Sequence, residues 1–195
     1  MTKKPIKPVW LRLDEKINAI DNLDKAYNYI REAESDTMAW KWAIMALHNA
    51  LYGFAICACA GTNPDLVAPK NKKGERNLIS FGMALRYCQD PTYMNKYVSS
   101  KYLTLNNKQK ESINWLKDKF RDQFEHFAPM GWSIELHGIS HIFIDIVDII
   151  RFLAIDTHNI RFTQTQARKI KSLIFQSKKI LKNSKLYLET EQLDK

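Results

Sequence analysis

The sequence predicts an all-α fold, a compact helical bundle of about six helices. Three observations predict it. Apolar residues recur at spacings of three and four through most of the chain. Only six glycines and six prolines punctuate the 195 residues, and no run of alternating β-branched residues is long enough to make a strand. With 45% hydrophobic residues the chain can enclose one core without disulfides or a structural metal. Residues 1–195 are therefore expected to form a single domain with a flexible N-terminus, 1–10, and a flexible C-terminus, 186–195.

Leu13, Ile17, Ile20, Leu23, Tyr27 and Ile30 trace one apolar stripe, giving a first helix from about Asp14 to Ala33. Ser35 or Asp36 can cap a second, from about Thr37 to Ala60, which is the most apolar and belongs at the centre. Gly61 ends it. Residues 61–76 combine Pro64, Pro69, Gly74 and a basic run, so they form a surface loop, and Lys72 and Lys73 on it are candidate anion contacts. A shorter helix over about Asn77 to Cys88 breaks at Asp90-Pro91. Asn106 or Asn107 then opens a helix carrying Ile113, Leu116, Phe120 and Phe124. Pro129 and Gly131 end it near Phe127. Ser133, followed by Glu135, begins a long helix to about Asp156 that buries Ile142, Ile146, Ile149 and Leu153. The last amphipathic helix, about Thr163 to Lys182, turns Ile170, Leu173, Ile174 and Leu181 inward and Lys171, Lys178 and Lys182 outward.

Composition narrows the setting. Cys57, Cys59 and Cys88 are an odd set, and the first two point different ways on one helix, so a disulfide framework is not expected and a reducing, cytoplasmic location is. The opening residues lack an apolar signal-peptide core. Two apolar stretches, Trp42 to Ala60 and Ile139 to Ile155, contain His48 and Asn49, and Asp145, Asp148 and Arg151, so no membrane span is expected. The net charge is +9, and between Thr157 and Leu188 eight cations stand with no acidic residue. Such a field suits a polyanion, either nucleic acid or an anionic membrane surface, although a merely solubilising face has the same composition.

The segment Lys119 to Glu135 reads KFRDQFEHFAPMGWSIE. Arg121, the polar Asp122 beside it and His126 resemble the R-x(4–6)-H motif of the HEPN superfamily, in which Asn, Asp or His commonly follows the arginine. The late-helix position, the HFAPMGWSIE continuation and the helical bundle agree with that resemblance. It implies a HEPN-like bundle that acts as a homodimeric endoribonuclease, with motifs from both copies at one cleft. A role as a toxin or phage-defence effector, with an antitoxin or regulatory protein as a further partner, is also implied. Some toxins of the superfamily extend the motif to a modifiable tyrosine two residues after the histidine; here that residue is Ala128.

Helix geometry bears on how Arg121 and His126 can act together. Five residues of ideal helix turn about 500°, roughly 140° net, and rise about 7.5 Å, so Arg121 and His126 of one chain do not converge on one small group. Either the helix unwinds or two copies meet, and the resemblance implies the latter. The chemistry needs no metal and no other cofactor. His126 can act as general base toward a ribose 2′-hydroxyl or general acid toward the leaving 5′-oxygen. Arg121 offers fixed charge to the developing phosphorane, and Asp122 orients Arg121 or His126. The expected products are a 2′,3′-cyclic phosphate and a 5′-hydroxyl.

RNA contacts are expected at Lys171, Lys178, Lys182, Lys72 and Lys73, with Trp132 walling the cleft or stacking on a base. Packing of the turn against the bundle is the favoured reading of Trp132, and core packing explains Trp40, Trp42 and Trp115. His48 reads as a satisfied core histidine. His137, His141 and Asp145 share one helix face, but no matching Glu-x-x-His elsewhere supports a metal centre. The alternatives are a non-catalytic HEPN-like module that binds RNA or a protein, and a helical interaction protein in which the motif is incidental.

Overall fold

Helix α1, Glu15–Glu32, starts where Asp14 accepts the Ile17 amide at 2.7 Å, which satisfies one of the unpaired donors at a helix start. The computed structural model describes residues 9–125, 131 and 133–193. On α1 the buried face is Ala19, Ile20, Leu23, Ala26 and Ile30, while Leu13 and Ile17 are exposed. Ile20, Leu23 and Ile30 of the expected stripe are joined by the small Ala19 and Ala26, and α1 runs so close to α2 that a Cβ on Gly53 would sit 2.8 Å from the Ala19 Cβ.

Helix α2, Ala39–Ala60, is the core of the bundle. It is the one described helix long and apolar enough to cross a membrane, and most of its apolar window is buried by its neighbours, as for a central helix. It packs against α1, α3 and α7. Its N-terminus has no side-chain cap; the Asp36 carboxylate instead accepts the Met38 amide at 2.9 Å. Gly61, at φ 55°, stops it. Trp40 is buried edge-on against Phe143, but Trp42 and Trp115 lie half in solvent rather than in the core. His48 is buried, with its ring 4.5 Å from that of Phe81 and Nδ1 3.4 Å from the Asn49 side-chain oxygen.

The loop after α2 is ordered by short-range bonds. Asn71 accepts the Lys73 and Glu75 amides, and Arg76 donates to the Ala68 carbonyl. Helix α3, Phe81–Cys88, begins at its Ser80 cap, four residues later than the expected start. Helix α4, Pro91–Met94, follows the Asp90 cap. Asn159, nearly fully buried, ties three segments together: its amide donates to the Met94 and Ala58 carbonyls at 2.9 and 3.3 Å, and its oxygen accepts from Ser100 at 2.6 Å.

Helix α5, Asn107–Asn114, opens with a reciprocal capping box between Asn106 and Gln109. It continues as a π-helical segment, Trp115–Arg121, and then as α6, Asp122–Glu125. The helix expected from Ser133 begins later. The Glu135 carboxylate accepts the His137 amide at 3.0 Å, Gly138 takes a left-handed φ of 84°, and only then does α7, Ile139–Arg151, start. Ile146, Ile149 and Leu153 are buried as expected, whereas Ile142 is only half-buried. A second π-helical segment, Phe152–Asp156, extends α7.

Helix α8, Gln164–Asn183, is capped by Thr163 with Gln166 and buries Ile170, Leu173, Ile174 and Leu181. The tail expected from 186 onward is helical as far as Leu193: α9, Lys185–Leu193, packs on α7 and α8. The result is an all-α bundle, and no strand forms among the described residues.

Candidate functional site

The helix that carries the motif is not uniformly α. In the π-helical stretch the Asp122 amide reaches back five residues to the Lys117 carbonyl. The same register governs the side chains. Residues five apart lie about 140° apart around an α-helix, yet Lys117 Nζ lies 3.2 Å from Asp122 Oδ2. The second π segment is clasped alike: the Thr157 amide donates to the Phe152 carbonyl, and Arg151 meets Asp156 at 2.9 Å. Short segments of this kind occur often at functional sites.

Leu116 and Phe120 face the core from this segment, with the Trp115 ring 5.7 Å from Phe120. That anchoring leaves Arg121 half-buried, its Nη1 donating to Asp122 Oδ1 at 2.9 Å. The Asp122 carboxylate thus bridges two cations. The hydrogen bond from Arg121 holds its pKa below the usual carboxylate range, helped by Lys117 and opposed by partial burial. Asp118 in turn grips Lys117 and is the main cause of that ammonium's raised pKa. Lys117, Asp118, Arg121 and Asp122 form a balanced cluster in which Asp122 sets the direction of the Arg121 guanidinium.

His126 and Trp132 lie outside the described residues. Of the expected anion contacts, Lys72 and Lys73 are exposed at the tip of the loop after α2, and Lys171 and Lys182 are exposed on α8. Lys178 is different. Its ammonium is engaged by both Asp148 oxygens at 2.7 and 2.9 Å, so it buttresses α8 on α7 rather than standing open to solvent.

His137, His141 and Asp145 do not act as one set of ligands. His137 meets Glu135 and Glu189; His141 stacks on Tyr187 with ring centroids 4.4 Å apart and approaches Glu191; Asp145 accepts from Ser112 at 2.7 Å. No group of three metal-ligating residues is present among the described residues. The cysteines are buried free thiols, and desolvation pushes Cys57 up to about 12, so it stays a protonated, poor nucleophile.

No family model matches this chain, and neither the curated proteins nor the solved structures searched contain a match.

Sequence reasoning offered Arg121 as one of two partners of Asp122, but missed the π-helical register and Lys117 as the second cation that Asp122 holds. The alternation of charges in Lys117, Asp118, Lys119, Arg121 and Asp122 hints at pairing, but its spacing points to the right partners only once the helix widens.

Proposed function

We propose that the protein is a metal-independent endoribonuclease, working as a homodimer in the cytoplasm with Arg121 and His126 from two copies at one cleft. The observation that carries this reading is the Arg121 guanidinium held by Asp122 on a π-helical turn, five residues before His126. An oriented guanidinium is what phosphorane stabilisation needs, since a donor fixed in advance costs no reorganisation in the transition state. His126 supplies the proton transfer, and a second copy supplies the second histidine, so that base and acid are present together. The likeness of the motif to HEPN ribonucleases supports the same reading and extends it to a toxin or phage-defence role, with an antitoxin or regulatory protein as partner.

The test is direct. Purified protein is incubated with RNA in EDTA and the cleaved ends are analysed, while light scattering gives the mass in solution. Cleavage leaving 2′,3′-cyclic phosphate, lost in Arg121→Ala and in His126→Ala, is the expected result, with a particle of two chains. A monomer, or cleavage that EDTA stops or that persists without His126, overturns the mechanism.

A second reading has its own support. The Arg121 charge is matched by Asp122, and the strongest unmatched charge lies elsewhere, on α8. A non-catalytic RNA-binding module would bind RNA through α8 and leave it intact.

A further inference from the structure

Helix α8 carries a side chain that its amphipathic pattern does not explain. Phe175 is 68% exposed, although the apolar face of the helix is already used in the core by Ile170, Leu173, Ile174 and Leu181. It sits in an open groove with Arg151, Lys171, Lys178, Lys179 and Lys182, floored by Ile155 and Ile174. Among the described residues no acidic side chain lines this groove. Lys178 is spent on Asp148 and Arg151 on Asp156. Lys171, Lys179 and Lys182 are exposed around the ring, at positions four before, four after and seven after it, which places all of them on one side of an α-helix.

We propose that this groove binds a single-stranded segment of RNA, with Phe175 as a platform on which one base stacks and Lys171, Lys179 and Lys182 as contacts to the flanking phosphates. The proposal rests on the reading of the chain as an RNA-acting protein and adds the form of RNA it takes. An aromatic face accepts any unpaired base, whereas a base inside a duplex is already stacked on both sides. Lysines spaced along the helix follow a backbone without reading sequence. An anionic membrane is disfavoured because an interfacial helix needs a broad apolar face toward the lipid. Here the apolar face of α8 is inside the bundle and a single ring is left outside.

The experiment measures binding of three probes by fluorescence: a short unstructured 2′-O-methyl oligoribonucleotide, which lacks the attacking hydroxyl and cannot be cleaved, its blunt duplex, and phosphatidylserine–phosphatidylcholine vesicles. Phe175→Ala should weaken the single strand on the order of 10-fold, leave its salt dependence unchanged and leave the duplex unaffected, and Phe175→Trp should restore binding. Lys171→Gln and Lys182→Gln should each reduce the salt slope for the single strand by about 0.7, the value for one phosphate contact. Circular dichroism checks that the surface variants fold. Single-strand affinity that ignores Phe175, or that falls equally for the duplex, overturns the proposal, as does vesicle binding that depends on Phe175 without RNA binding. The outcomes separate the two readings. Unchanged binding in Phe175→Ala together with loss of cleavage in Arg121→Ala removes the groove and keeps the ribonuclease. Phe175-dependent binding with no cleavage of ordinary RNA keeps the groove and removes the ribonuclease. A wild type that binds neither oligonucleotide overturns the groove.

Discussion

Lys117 and Asp122, five residues apart in one helix, meet at 3.2 Å because the intervening turn is π-helical. Asp122 is thereby held between Lys117 and Arg121, and its role as an orienting group can be separated from its charge. Asp122→Asn keeps the size but weakens the grip on Arg121. Cleavage should fall by about 10-fold or more through kcat with little change in RNA binding, since misorientation costs the transition state first. Single-turnover rates beside equilibrium binding check this. Equal losses in binding and rate would mean that Asp122 acts on the ground state.

The same carboxylate predicts a pH dependence of stability. Its pKa is lowered in the folded chain, chiefly by Arg121. The stabilisation is therefore present above its unfolded value and is lost as pH falls through the folded one. Thermal melts of wild type and Asp122→Asn should differ at neutral pH and converge in acid, below the ordinary carboxylate range. A gap that stays constant down to low pH would show that the difference comes from packing.

Asn159 joins the end of α2, the end of α4 and the loop at Ser100. Removing its side chain takes a donor from both carbonyls, of which that of Met94 keeps the Lys96 amide at 2.8 Å, and takes the acceptor from the Ser100 hydroxyl. Asn159→Ala should cost about 2–3 kcal/mol, measured by urea unfolding. Asn159→Asp, which turns a donor into an acceptor facing the Met94 and Ala58 carbonyls, should cost at least as much.

The α1–α2 contact depends on a missing methyl group. Gly53→Ala would bring a Cβ within 2.8 Å of the Ala19 Cβ, and helix backbones cannot yield as a flexible side chain can. A loss of about 1–3 kcal/mol is expected. Gly82→Ala on α3, where nothing lies within 4 Å of the added carbon, should instead be neutral or stabilise by up to about 1 kcal/mol. Denaturation midpoints of the two variants check the contrast.

Charge reversal on α8 should also divide by partner. Lys178→Glu sets a second carboxylate against Asp148 and should destabilise by about 1 kcal/mol, less at high salt. Lys182→Glu, exposed and with no acidic residue among the described ones lining its groove, should leave the melting temperature near that of wild type while weakening polyanion binding. Equal effects on stability would mean that the Asp148 pair contributes nothing.

The chain's own local chemistry determined most of the helices. Asp14, Asn106 and Thr163 cap α1, α5 and α8 where a short polar side chain precedes a periodic apolar run, and the apolar run at 39–60 determined which helix is central. These rules act within a few residues, so they are visible in one dimension. They also misled at Ser133, where the nearby Glu135 suggested a helix start, but Gly138 turns the chain and α7 begins at Ile139. Arg121, Asp122 and His126 stand out in the sequence as a motif, yet only the folded helix, widened by a π turn above the packed Leu116 and Phe120, decided that Asp122 holds Arg121 and Lys117 together. Ala19 lies on the buried face of α1 against Gly53, more than thirty residues on, which admits it so closely only because it lacks a side chain. Lys178 and Lys182 are the same residue type on one helix, and Asp148 on α7 makes one a strut and leaves the other exposed. Burial and pairing depend on which distant segments meet, and that is a property of the packed bundle.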